Sequence, residues 1–264
     1  MKIRLAQLSL LLACLVLWGV LTSPQVPAFY FDNPDKAAFF FGEPLKVLDR
    51  LIAWFVSGEI YSHLWVTLVE TLLAFAIGTG AGIGIGLWLG LAPTAAAILD
   101  PYVKGLNAMP RVILAPIFMV WFGLGMASKV ALGVTLVFFI VFFNVYQGVR
   151  EVSPAILANA RMLGASQRQL LRAVYLPSAL SWVFASLHNS VGLAFVGAVV
   201  GEYLGSAEGV GYLIHQAEGV FDINTVIAGI ALLTAFALVL DALVGWIERR
   251  LMVWQPSANT SGQL

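Results

Sequence analysis

Residues 63–91 read HLWVTLVETLLAFAIGTGAGIGIGLWLGL, with Glu70 the one Asp, Glu, Lys or Arg among them. As an α-helix this stretch would extend roughly 43 Å at about 1.5 Å per residue. The apolar core of a bilayer is only about 30 Å thick, so the stretch is long enough to cross a membrane. Its second half carries Gly78, Gly82, Gly86 and Gly90 at four-residue intervals, with Gly80 and Gly84 between them. Context excludes a phosphate-cradling loop, because no strand precedes the run and no Lys-Ser/Thr pair follows it. Small residues four apart instead cut a groove along one helix face, into which a second helix packs closely.

The rest of the 264 residues has the same texture. The chain is 60% hydrophobic and 11% charged, with a mean hydropathy of +0.91. Soluble domains are about a quarter charged. Further apolar runs occupy residues 5–21, 112–124, 130–146, 179–200 and 225–247, which predicts an all-α polytopic membrane protein with about six transmembrane helices. The run at 112–124 is short and contains Pro116, so a kink or a supplement from the preceding helix is expected there. Leu11-Leu12-Ala13-Cys14 looks like a lipoprotein cleavage box. However, the apolar run continues through Leu15, Val16, Leu17 and Trp18, which favours an uncleaved first helix. Cys14 is the single cysteine, so neither an intrachain disulfide nor a cysteine-based metal site exists.

Lys plus Arg is 14 and Asp plus Glu is 14, a formal net charge of zero that argues against a nucleic-acid partner. The balance is polarised once six spans are threaded. Lys2, Arg4, Lys104, Arg111, Arg150, Arg161, Arg168, Arg172, Arg249 and Arg250 fall on the side of the N-terminus, and Lys36, Lys46, Arg50 and Lys129 on the other. The excess of positive charge marks the cytoplasmic side, giving a multi-pass membrane protein with both termini cytoplasmic. The expected organisation is a first helix over 1–22, an extracytoplasmic segment over 23–62, a core over 63–250 and a cytoplasmic tail over 251–264. Within the second segment, Leu45, Leu48, Leu51, Ile52 and Phe55 recur at helical spacing. This predicts an amphipathic helix, lying either on the membrane surface or against the spans.

Residues 150–178 form the one long segment that cannot sit in hydrocarbon. Ser153-Pro154 reads as a hydroxyl cap followed by proline in the first turn of a helix. Gly164 is placed to end that helix, and Ser166 with Gln169 resembles a capping box that opens a second one. The segment is thus a cytoplasmic helix-turn-helix hung between two spans.

Ala158-Asn159-Ala160, then Gly164, then Val174-Tyr175-Leu176-Pro177 resembles the EAA loop of ABC-importer permeases, whose pattern is Glu-Ala-Ala, three residues, Gly, nine residues, Ile, any residue, Leu-Pro. The spacing matches throughout; Ala158 replaces the family's Glu and Asn159 its first Ala. Asp100-Pro101, Pro110 and residues 116–125, together with Gly201-Glu202-Tyr-Leu-Gly205 and residues 208–214, are similar to the nitrate/sulfonate/taurine subfamily. The resemblance spans residues 64–250. It implies a non-catalytic subunit that lines the translocation pathway for a small solute: nitrate, a sulfonate, taurine, bicarbonate or a thiamine precursor. It also implies a homodimer of such chains, two separate ATPase subunits holding ATP and magnesium, an extracytoplasmic substrate-binding protein and surrounding membrane lipid. No cofactor is expected in this chain, which contains no Gly-x-x-x-x-Gly-Lys-Ser/Thr loop. Carried over position by position, the ATPase-coupling residues are Ala158, Asn159, Ala160, Arg161, Gly164, Ala165, Val174, Leu176 and Pro177.

Polar groups within spans are expensive and mark candidate pathway or gate residues: Glu70, Asn144, Asn189 and Glu202. For Glu70 a position at the membrane interface is the competing reading, and for Glu202 a solvated helix end. Asp241 has a second explanation in pairing with Arg249 or Arg250. An ion-coupled secondary transporter using Glu70 and Asp241 is the alternative function, although the internal repeat common in such folds is not evident. His63, His188 and His215 are too far apart in sequence to suggest a metal site. No nucleophile–base pair with local catalytic context is seen, so no catalytic residue is assigned.

Overall fold

A computed structural model describes residues 2–23, 34–185 and 187–251, and the expected tail over 251–264 lies almost entirely outside them. All the regular secondary structure among the described residues is helical, with no strand among them. In order the helices are α1 (Lys2–Leu21), α2 (Pro34–Phe41), α3 (Pro44–Ser57), α4 (Glu59–Leu91), α5 (Pro93–Ala108), α6 (Ala115–Phe122) and α7 (Met126–Arg150). There follow α8 (Pro154–Met162), α9 (Gln167–Leu170), a π-helical turn (Leu171–Tyr175), α10 (Leu176–Ala185), α11 (Leu187–Gly205), α12 (Val210–Gly219) and α13 (Ile223–Leu251). The chain divides into two compact units, Met1–Leu68 with Val199–Ala235, and Val69–Ala198 with Phe236–Leu264.

Four helical segments are long and apolar enough to cross a bilayer: Glu59–Leu91, Met126–Arg150, Asn189–Gly219 and Ile223–Ile247. A fifth span is formed if α5 and the Arg111–Phe122 segment are taken together, and these two are bent by 86°. The apolar part of α1, Leu5–Leu21, is shorter than these, so the described residues hold four spans, or five with the bent pair, against the six or so expected.

The bend falls at Met109–Pro110 and not at Pro116, so of the two expected arrangements the short run is supplemented by the preceding helix. Met109, the residue before Pro110, is extended at φ −67° and ψ 134°, because proline crowds the helical conformation of the residue ahead of it. Pro116 instead occupies the first turn of α6, where a missing N–H costs no helical hydrogen bond.

The glycine ladder explains the larger unit. A methyl group built on Gly78, Gly82, Gly86 or Gly90 would lie 2.8–2.9 Å from Cβ of Val137, Val141, Val145 or Val149 respectively. Both series ascend together, so α4 and α7 run parallel. Gly80 and Gly84 face open space instead, as expected of one packed stripe. Gly133 continues the contact to Ala74 and, with Gly197, lets α7 and α11 touch backbone to backbone. Val137, Val141, Val145, Val149, Ala74, Ala179, Val183 and Ala194 form the core that results. Lipid tails are as apolar as these side chains, so close contact and not exclusion from water holds such helices together.

In the smaller unit α3 presents Val47 and Trp54 inward, while Leu45, Leu48, Ile52 and Phe55 are exposed. Four of the five residues of the expected apolar stripe are thus exposed, and Leu51 is half-buried. Gly42 turns the chain into α3 at φ +67°, and the Glu43 amide donates to Asn224 Oδ1 at the start of α13 (2.8 Å).

Candidate functional site

The segment between α7 and α10 is built as its local signals dictate. Pro154 stands in the first turn of α8. At the other end Gly164 is left-handed at φ +80°. Its amide donates to the Arg161 carbonyl (3.0 Å) and the Ala165 amide to the Ala160 carbonyl (3.0 Å). These two bonds are a Schellman closure, which requires a residue that tolerates positive φ. Ser166 and Gln169 then close a reciprocal capping box: the Gln169 amide donates to Ser166 Oγ (3.3 Å), and the Ser166 amide to Gln169 Oε1 (2.7 Å).

The base of this hairpin is fixed and its tip is open. Ser178 Oγ donates to the Gly148 carbonyl of α7 (2.8 Å), and a methyl on Gly148 would strike the Trp182 ring at 2.7 Å. Leu170 is buried, and Val174 and Leu176 are half-buried. Ala158, Asn159, Arg161, Gly164 and Pro177 are exposed, whereas Ala160 and Ala165 are half-buried. The tip carries three exposed apolar side chains that the sequence pattern did not single out: Ile156, Met162 and Leu163, the last 88% exposed. Three large apolar side chains around one short helix form a surface suited to another protein.

Glu202 belongs to a different constellation, in the smaller unit. Its side chain is fully buried, which removes the solvated-helix-end reading. Thr67 Oγ1 donates to its Oε1 (2.6 Å) and the Gly211 amide to its Oε2 (2.8 Å). The Val210 amide donates to Thr67 Oγ1 (3.2 Å), and the Gly209 amide to His63 Nδ1 (3.0 Å). The carboxylate thus sits at the N-terminus of α12, where free amides and the helix dipole favour negative charge. Gly209 is required twice, by a φ of +101° and because a methyl there would lie 2.2 Å from Glu202 Cδ. This clasp joins α4, the end of α11 and the start of α12, and its long-range partners gave no signal in the sequence.

An open cavity of about 670 Å³ lies beside α12, lined by Arg50, Trp54, Glu59, His215, Gln216 and Asp222 among others. Asp222 caps α13 by accepting from the Thr225 amide (3.1 Å) and hydroxyl (2.6 Å), and it meets Arg50 Nη2 at 3.1 Å. Partial burial pushes its carboxyl up, but the Thr225 hydrogen bonds and the Arg50 charge outweigh this and hold its pKa below the ordinary value.

Asn144 is half-buried and donates to the Ile140 carbonyl of its own helix (2.7 Å), Asn189 is exposed, and Glu70 is buried in the larger unit. Asp241 is exposed beside Val191, Phe195 and Val244; of its two expected partners, Arg250 lies over the Trp246 ring at 5.6 Å, and the side chain of Arg249 lies outside the described ones, as does that of His188. Lys129, counted among the outer loop charges, is instead fully buried in the first turn of α7. Among the described residues no group of His, Cys, Asp and Glu is placed to hold a metal ion.

A chain of apolar helices, several of them spanning, with an exposed helix-turn-helix between two of the membrane segments, is the build of a membrane transport subunit. The family of binding-protein-dependent transport system inner membrane components matches residues 82–253, and the chain belongs to it. It is 34% identical over 248 residues to the riboflavin transport system permease protein RibX of Chloroflexus aurantiacus, covering 94% of this chain and 89% of that one. It is 30% identical over 220 residues to the taurine transport system permease protein TauC of Escherichia coli (strain K12), covering 81% and 80%. In fold it is similar to the inward-facing MetNI methionine ABC transporter, with a TM-score of 0.61 at 19% identity over 73% of this chain and 94% of that one. The protein is an ABC transporter permease of the inner membrane, which decides against the ion-coupled alternative.

Proposed function

We propose that two copies of this chain form the translocation pathway of an importer driven by two separate ATPase subunits, which bind ATP and magnesium. An extracytoplasmic binding protein would deliver a small solute of the nitrate, sulfonate, taurine, bicarbonate or thiamine-precursor class. Both termini, residues 251–264 included, and the α8–α9 hairpin lie on the cytoplasmic side in this reading, as the charge bias favours. The first helix over 1–22, the segment over 23–62 and the core over 63–250 keep their expected roles.

The observation that carries the reading is the α8–α9 hairpin, pinned at its base to α7 and exposed at its apolar tip. Closure of the ATPases on ATP would displace α8, with Ala158, Asn159, Ala160, Arg161, Gly164 and Ala165 shaping the contact. Val174, Leu176 and Pro177 would carry the return into α10. The rigid α4–α7 pair would rock, and alternating access follows when such packed elements have two stable arrangements. The Glu202 clasp would set the position of α12 and so act as a gate. Glu70, Asn144 and Asn189 stay candidates for the pathway.

The test replaces Gly164 with valine, whose branched Cβ disfavours φ +80°. Uptake by membranes and co-purification of the ATPase should both fall while the permease remains in the membrane. Unchanged uptake would overturn the coupling role.

A further inference from the structure

The α4–α7 zipper has a constant register: Ala74 meets Gly133, Gly78 Val137, Gly82 Val141, Gly86 Val145 and Gly90 Val149, always 59 positions apart. One turn further toward the N-termini of these parallel helices, the same offset sets Glu70 against Lys129. Both side chains are buried, Glu70 at 1% exposure and Lys129 at 0%. They are the acid and the base within this stripe, on facing helices and at matching height. Lys129 also holds the turn that leads into its own helix, since its Nζ donates to the Leu124 carbonyl and to that of Gly125 (3.1 Å).

We infer that Glu70 and Lys129 form an intramembrane charge pair that sets the axial register of α4 on α7 and closes the α6–α7 turn. The physical need is plain. A four-residue stripe of glycines against valines is nearly self-similar, so a slip by one turn replaces each contact with an equivalent one. Apolar packing alone distinguishes such registers weakly. A single buried charge pair distinguishes them strongly, because a slip leaves two charges uncompensated in a medium of low dielectric. Polar groups inside otherwise apolar helix seams act in the same way when they fix register. In this role the pair is a positioning device. α7 runs from it without a break to Arg150, at the base of the α8–α9 hairpin, so the register set here fixes where that hairpin stands.

The inference does not depend on which ATPase or solute the chain serves, and its test needs neither. Four variants are expressed in native membranes: E70Q, K129M, the double neutral E70Q/K129M and the swap E70K/K129E. The readout is the quantity of full-length protein that elutes as one folded species from mild detergent. Each single variant should lose roughly tenfold, since it leaves one buried charge without its counter-charge. The double neutral and the swap should each recover to within about threefold of the parent protein, as expected of two residues that act as one unit. The swap matters most, because residues needed separately would not regain function by exchange. Single variants that fold like the parent protein would overturn the inference. So would double variants no better than the worse single one.

Discussion

Gly82 of α4 lies directly against Val141 of α7, so that a methyl at Gly82 would come within 2.9 Å of Val141 Cβ and 3.0 Å of the Phe138 carbonyl oxygen and the Phe142 amide nitrogen. Two of those three neighbours are backbone and cannot rotate away. Gly84, two residues on, has nothing within 4 Å. The two glycines share a helix and a membrane depth, yet only one is needed for packing.

Gly82→Ala should therefore destabilise the protein by about 1–3 kcal/mol, the usual range for overpacking a tight contact. Gly84→Ala should be neutral or stabilising by up to about 1 kcal/mol, because alanine is the better helix former. Thermal unfolding of the two purified variants in one detergent checks the contrast. Equal losses would mean that the stripe at Gly78, Gly82, Gly86 and Gly90 is not the packed face.

That contrast shows what could be read in advance. The four-residue spacing announced a packed helix face, and Gly164, Ser166 and Gln169 announced the turn between α8 and α9, because each of these signals acts over a few residues. The identity of the packed helix was not legible, since the valines of α7 lie 59 positions away and resemble any apolar run. Lys129 was misplaced for a related reason. A lysine next to a turn reads as solvated, and only the fold shows Nζ folded back onto the Leu124 and Gly125 carbonyls. Pro110 and Pro116 were both visible, but which one bends the chain depends on where α6 begins. The Glu202 clasp joins residues as far apart as Thr67 and Gly211, so sequence marked the acid and none of its partners.

The clasp makes its own prediction. Glu202→Gln keeps the shape but leaves one of two buried donors, the Thr67 hydroxyl or the Gly211 amide, facing an NH₂ group. The cost should be about 1–3 kcal/mol in stability. Gly209→Ala should cost at least as much, about 1–3 kcal/mol from the φ of +101° alone, with the overlap on Glu202 added. If α12 is the gate of the proposed function, both variants should also lower uptake per folded molecule. Protease nicking of residues 205–211 under native conditions provides a local readout, with faster cleavage expected in both. Unaltered cleavage would show that the clasp does not hold α12.

Asp222 gives a dependence on pH whose sign is fixed. Its folded pKa lies below the ordinary 3.8. The stabilisation is therefore present in full above that value and lost as the pH falls through the folded one. Asp222 and Arg50 are 33% and 45% exposed, so the contribution should stay under about 1 kcal/mol and shrink with added salt. Asp222→Asn should lower the melting temperature at pH 6 and flatten the fall in stability as the pH drops below the ordinary 3.8. An unchanged acid limb in the variant would assign that limb to other carboxylates.

The exposed tip of the α8–α9 hairpin provides the sharpest separation of folding from function. Leu163 is 88% exposed and Met162 79%, so neither contributes packing to the isolated chain. Replacing an exposed side chain usually changes stability by less than about 0.5 kcal/mol, and Leu163, although the C-cap of α8, caps through its backbone amide. Leu163→Asp should therefore leave the melting temperature and the amount of inserted protein unchanged. If the tip docks on an ATPase, the same change puts a charge into an apolar contact. An apolar anchor at the centre of an interface is worth about 2 kcal/mol or more, so retention of the ATPase on purification should fall by at least about tenfold. Gln167→Ala, on the polar side of the same hairpin, should leave retention intact. The informative comparison is between the two variants at equal permease levels: loss in both would indicate a damaged hairpin, and loss in neither would place the ATPase contact elsewhere on the chain.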